Sequence, residues 1–334
     1  MGKIKNILKK IPFVKEIRNL TYKLKDILKY QLFKLNIFLK FRNVSRKGFI
    51  NDLKKAIDNK KGFAVGKMGT TEQQIMFYDV ILKNNKYKSE LEGFEKQLFG
   101  SFTKNAGVFP SEKEFILKYA KHFSESVLNL DNLGLFYHIR EYDVLKHYNF
   151  KNTITYYASH EPDRSIPAND NLCYLPYFKG KKILIICPFG KFLASRANKE
   201  IFEAVWSKIG KKWFYPASID SLEFPYGLSK STQAKYGDAF NLLAEIKEEI
   251  KKKDFDIALI AAGGIAIPLA SFIKSIGKIG ISLGGHLQIV FGVIGGRWRN
   301  QEEWQTKYFN EHWVNVPENY IPKEKDDCEN GCYW

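Results

Sequence analysis

Cysteine is scarce: Cys173, Cys187, Cys328 and Cys332 are the four in 334 residues, too few and too scattered for a disulfide scaffold. The close pair, Cys328 and Cys332, has no second Cys/His pair at finger-like spacing, which argues against a zinc module and for a reducing, cytoplasmic setting. Long apolar runs are missing too. The longest, 257–270, is interrupted by Gly263-Gly264 and Pro268 and falls short of the ~18 to 20 residues that span a bilayer. The N-terminus lacks the continuous apolar core of a signal peptide. Disorder and collagen-like or mucin-like architectures are excluded by a hydrophobic content of 45% and a charged content of 27%. Acidic residues run short in one place. Residues 1–47 hold 14 Lys and Arg against Glu16 and Asp26, a local net of +12 out of +17 for the chain, so the other 287 residues carry only +5.

Within that basic segment, apolar residues fall at Ile4, Ile7, Leu8, Ile11, Val14, Ile17, Leu20, Leu24, Ile27, Leu28, Leu32, Leu35 and Leu39. The spacing predicts a basic amphipathic helix, kinked or restarted at Pro12. Such a helix can lie in the headgroup layer of an anionic membrane, or pack on its own domain with a solvated basic face. No aromatic-interleaved basic patch follows in the body, which argues against nucleic acid as a partner.

From residue 48 onward, short β-branched or aromatic runs alternate with helical periodicity. Strands are predicted at 63–66, 133–138, 153–157, 183–187, 213–216, 257–261 and 279–283, and helices at 71–82, 112–128, 192–209, 232–252 and 265–276. Runs such as ILIIC and IALIAA are apolar on both faces, as central strands of a covered parallel sheet must be. The expected fold class is α/β, a doubly wound, mostly parallel sheet flanked by helices and preceded by the basic helix. The expected organisation is a basic helical segment at 1–47, an α/β domain at 48–300, and an aromatic tail at 301–334 packed on it. A split near residue 178 is the alternative. Four of the six tryptophans lie in the last 37 residues, where they can pack as a strap or line a sugar-binding groove.

In open α/β sheets, ligands bind beyond the carboxyl ends of the strands, so the residues following each predicted strand are candidates. In "LIAAGGIAIP" a strand ends and a helix starts at Gly263-Gly264, pointing free backbone N–H groups and a helix N-terminus at the cleft; equally, the glycines can serve a tight turn. The segment "GKMGTTEQQ" repeats the pattern with Glu72 in the first helical turn, where a carboxylate either caps its helix or acts as base or metal ligand. In "GGHLQ", glycines free backbone donors beside an imidazole and an amide.

The pairing of "VGKMGTTE" with "LIAAGGIAIPLASFIKSIGKIGISLGG", followed by "GGHLQIVFGVIGGRW" and the ending "ENGCYW", resembles the bacterial GT-D-type glycosyltransferase domain over roughly 48–300. The resemblance implies transfer of a sugar from a nucleotide donor to a surface-glycan acceptor, which can be lipid-linked, at the cytoplasmic face of a membrane. It implies donor contacts at Lys67, Gly69, Thr70, Gly263, Gly264, Gly284, Gly285 and Gln288. The family's acid-x-acid pair, a site for Mn²⁺ or Mg²⁺ with the donor diphosphate, becomes Thr70-x-Glu72 here, which leaves Glu72 as a lone metal ligand and opens the alternative that Lys67 and helix N-termini neutralise the diphosphate. A later acid of the family is Ser282. Candidate bases are Glu72, His160, Glu161, Asp163 and His286, of which Glu72 and His286 are the assigned catalytic residues. A non-catalytic nucleotide- or glycan-binding protein of the same fold is the alternative, suggested by the lost acid at Thr70.

Overall fold

The computed structural model describes residues 31, 32 and 34–334; the expected helix over residues 1–30 lies outside the described residues. Seven parallel strands make one sheet: β1 (Phe63–Lys67), β2 (Asn132–Leu135), β3 (Thr153–Tyr156), β4 (Lys182–Ile186), β5 (Ser218–Leu222), β6 (Ile257–Ile260) and β7 (Ile279–Ser282), in the order β3-β2-β1-β7-β6-β4-β5. The principal helices are α1 (Arg46–Asp58), α2 (Thr70–Lys83), α3 (Leu91–Phe102), α4 (Lys113–Leu128), α5 (Ile139–His147), α6 (Ala239–Lys251) and α7 (Ala266–Ser275).

Strand side chains alternate between faces, and both faces are apolar. Leu184, Ile186, Ala258 and Ile260 enter one core with α2, α4, α6 and α7. Ile183, Ile185, Ile257 and Leu259 enter the other with α1, Trp206 and the C-terminal tryptophans. Trp298, Trp304 and Trp313 are all buried, so the tail is part of this second core. Helix α7 lies unusually close to the sheet: a Cβ on Gly280 would come within 2.8 Å of the Ala270 Cα, and one on Gly66 within 2.9 Å of Ile267. Glycine in these strands is the condition for that approach.

Three expectations need correction. The segment 213–216 is not a strand: Trp213 and Phe214 pack on Phe202, Tyr215 has φ +49°, outside the β region, and the strand starts later, at Ser218. The helix expected over 192–209 is two short ones, Gly190–Arg196 and Lys199–Val205, the second restarted where the Asn198 side chain accepts the Ile201 N–H. The one expected over 232–252 breaks at Gly237 and restarts on the Asp238 cap of α6. Short capping side chains outcompeted continuous periodicity in both.

Residues 34–40 are helical. Ile37 is fully buried, and the Val44 N–H donates to the Ile154 carbonyl at 2.9 Å, so chain on the N-terminal side of residue 48 already belongs to the edge of the sheet. Among the described residues no helix is long and apolar enough to cross a membrane.

Candidate functional site

The first and last strands, β1 and β7, lie side by side, and the direction of strand progression reverses next to them, where β4 leads outward to β5 and β6 leads back to β7. A crevice opens at such a switch point. There lies a cleft of about 530 Å³, within the range of about 300–1,000 Å³ typical of small-molecule sites.

From β1 comes Lys67, whose side chain is 11% exposed; its ammonium is ion-paired with Glu161 and lies 6.0 and 5.8 Å from the ring centroids of Phe136 and Tyr157. Those rings stack at 4.0 Å and form one wall. Burial lowers the Lys67 pKa, and Glu161 opposes the shift. Gly69 caps α2 with extended backbone. Thr70 is exposed to the cleft. The Glu72 carboxylate turns back over Gly69, so that a Cβ on Gly69 would lie 2.5 Å from it. Burial raises the Glu72 pKa, while the backbone N–H groups of Glu72 and Gly69 pull it down. Glu72 thus caps its own helix and lines the cleft at once.

From β7 comes the turn Gly284-Gly285, with Gly284 at φ +57°, delivering His286. Its Nδ1 lies 2.9 Å from Asp163 Oδ1 and its Nε2 3.0 Å from Glu161 Oε1. Asp163 and Glu161 are almost fully buried. Burial works against the Asp163 carboxylate, but His286, the Trp298 indole N–H and Arg164 outweigh it and hold its pKa low. The Trp298 ring stands edge-on to the imidazole at 5.1 Å. Lys67, Glu161, His286 and Asp163 therefore form one continuous polar chain across the floor.

Glu161-Pro162-Asp163 is an acid-x-acid pair, and with His286 it brings three ligand atoms within 4.8 Å. In donor chemistry two carboxylates and an imidazole suit Mn²⁺ better than Mg²⁺. The arrangement does not fit a resident ion, however. Both ring nitrogens are turned onto the carboxylates, and the Lys67 ammonium shares the Glu161 oxygen that an ion would need. Glu72, the metal ligand expected from sequence, is not part of this group.

Of the Gly263-Gly264 turn, Gly263 is exposed to the cleft, while Gly264 is buried against protein. The Gly264 N–H donates to the Ala106 carbonyl at 2.7 Å, and a Cβ on Gly263 would meet that oxygen at 2.7 Å. These glycines admit the 105–107 loop, which lines the cleft itself. Gln288 is buried and its amide donates to the carbonyls of Tyr333, at 3.2 Å, and Val293. His160, a candidate base, is fully buried: Nε2 pairs with Asn132 Oδ1 at 2.6 Å, and burial, then Lys67, drives its pKa down to about 3. It holds the β2–β3 layer together and stands apart from the cleft lining.

Sequence reading overlooked how far the last six residues enter the site. The Tyr333 ring covers Gly285, and its hydroxyl accepts from Arg297 at 3.2 Å. Arg297 is ion-paired with Glu329, and the Trp334 indole donates to the Tyr226 hydroxyl at 3.3 Å. The dense polar and aromatic ending Glu-Asn-Gly-Cys-Tyr-Trp was the available signal. Compared with known proteins, the chain matches no family model, no curated protein and no solved structure.

Proposed function

We propose that this chain is a glycosyltransferase that moves a sugar from a nucleotide-diphosphate donor to a bacterial surface-glycan acceptor, working at the cytoplasmic face of a membrane. The observation that carries the reading is the His286 imidazole, bracketed by Asp163 and Glu161 on the floor of a cleft that also holds Lys67 and Arg297. An inverting transfer needs a base within reach of the acceptor hydroxyl. Asp163 orients the ring at Nδ1. Nε2 faces Glu161, and because that carboxylate has Lys67 as a second partner, the imidazole can exchange Glu161 for an acceptor hydroxyl. The proton goes to Nε2 as the acceptor oxygen bonds to the anomeric carbon and the bond to the diphosphate breaks. Lys67, Arg297 and the N-terminus of α2 at Thr70 supply positive potential to the leaving diphosphate. The stacked Phe136 and Tyr157 offer a face for a sugar or base.

A non-catalytic nucleotide- or glycan-binding protein is the second reading, favoured by Thr70 in place of an acid and by the carboxylates that already pair both cations. The test is turnover and nucleotide binding, measured with UDP-, GDP-, CDP- and CMP-linked sugars. A transferase whose base is His286 should lose about 10²-fold or more in rate in His286→Gln while still binding nucleotide, and should work in EDTA if Lys67 and His286, which already engage the Glu161 and Asp163 carboxylates, supply the positive charge in place of an ion. Absence of both transfer and nucleotide binding in the wild type would falsify the proposal; nucleotide or glycan binding without turnover would favour the second reading.

A further inference from the structure

We infer that the helix at 34–40 and the tyrosine ridge beside it form a docking face for an anionic lipid bilayer, and that this face turns the rim of the cleft toward acceptors carried in the membrane. The inference deepens the membrane part of the reading above, and its test does not depend on the transferase part. Leu32, Leu35, Phe38 and Leu39 are 58%, 50%, 68% and 70% exposed, while Ile37, on the other side of the same turns, is fully buried. A helix that buries one apolar side and shows another to the outside has a second surface to cover. Among the described residues nine large hydrophobics are exposed, and five of them, Tyr156 included, lie along this edge.

The face is continuous with the site. Lys34 lies 5.7 Å above the Tyr137 ring, Tyr137 stacks on Tyr156 at 6.0 Å, and Tyr156 meets Tyr157 at 4.6 Å. Tyr157 is in the cleft wall. Tyrosines at the rim of an apolar surface suit the headgroup layer, where an apolar ring and a polar hydroxyl are both accommodated.

Charge selects the occupant. Lys40, Arg42 and Lys47 are exposed on the same segment, and residues 1–47 carry a net of +12. A second copy would press two such segments together. A nucleic acid would meet the lysines but offer nothing to cover Leu35 and Phe38. An anionic bilayer answers both, with acyl chains for the apolar residues and headgroups for the basic ones.

The experiment is flotation of the full chain with phosphatidylcholine vesicles, with and without phosphatidylglycerol, comparing wild type, Leu35→Glu/Phe38→Glu and Phe38→Trp. The wild type should float with the anionic vesicles only. The double variant should lose about tenfold or more of that partition and keep the nucleotide binding of the wild type. Phe38→Trp should show added fluorescence, above the native tryptophans, that brominated acyl chains quench. Three outcomes would overturn the proposal: equal flotation of the double variant; an unquenched Phe38→Trp, meaning contact by charge alone; or a dimer that the double variant turns into a monomer, meaning that a second copy covers the face. Flotation without nucleotide binding would remove the transferase reading and leave the docking face standing.

Discussion

Glu141 is almost fully buried, and its carboxylate accepts the backbone N–H groups of Phe136 and His138, at 3.0 and 2.8 Å, and the Gln73 amide. These bonds seat the start of α5. Burial still dominates and pushes its pKa up to about 7. Because the folded state then holds a proton that the unfolded chain has released, the stability due to Glu141 is fully present below the unfolded pKa and is lost as pH rises through about 7. Relative to Glu141→Gln, which cannot titrate, the wild type should lose stability between about pH 5 and about pH 7, with a slope of at most about 1.4 kcal/mol per pH unit. Denaturant unfolding across that range checks this; parallel profiles would show that burial does not penalise the carboxylate. None of this was legible in sequence, where Glu141 reads as one more first-turn acid. Glu72 differs: its place in a first helical turn after a glycine was legible, because capping is local, but whether its carboxylate also faced a cleft was not.

Elements are positioned here by small residues as much as by large ones. Gly280 in β7 sits under Ala270 of α7, and Gly280→Ala should force the two apart at a cost of about 1–3 kcal/mol. Gly93, in α3, has nothing within 4 Å of its would-be Cβ, so Gly93→Ala should gain about 0.5–1 kcal/mol from helix propensity alone. Denaturation midpoints of the two variants should move in opposite directions. At this scale the strands of the buried sheet were readable as both-sided apolar runs, six of the seven near their observed places. The exception was the edge, where β5 pairs with β4 alone and its residues Ser218–Leu222 carry little apolar signal, while Trp213 and Phe214 drew the reading upstream.

Across the whole molecule, the last residues return over the carboxyl edge of the sheet. Through Tyr333, Trp334 and Glu329 they meet Gln288 in the turn of helix that follows β7, Tyr226 and Arg297. Because residues 329–334 add contacts beside the cleft but little to either core, deleting them should weaken nucleotide binding about tenfold or more, the loss of about 1.4 kcal/mol, with the circular dichroism of the body unchanged. Calorimetric titration of the truncated chain with a nucleoside diphosphate checks it, and undiminished affinity would remove the tail from the donor site.

Sequence by itself determined the α/β class, the parallel sheet, the concentration of charge in the first 47 residues and the glycine turns that end β1, β6 and β7. All of these rest on local pattern: two-sided apolar runs, periodicity and backbone freedom. Tertiary structure alone decided what those turns face. Gly263-Gly264 met the Ala106 backbone, Gly285 met the Tyr333 ring, and Glu161 and Asp163, more than a hundred residues from His286, closed around its imidazole. Partners so distant in the chain are chosen by strand order, which sets the first strand, β1, beside the last, β7, and no local signal carries that order. The same holds for the basic segment: its periodicity was visible, but only packing showed that Ile37 faces the body and Leu35, Phe38 and Leu39 face away.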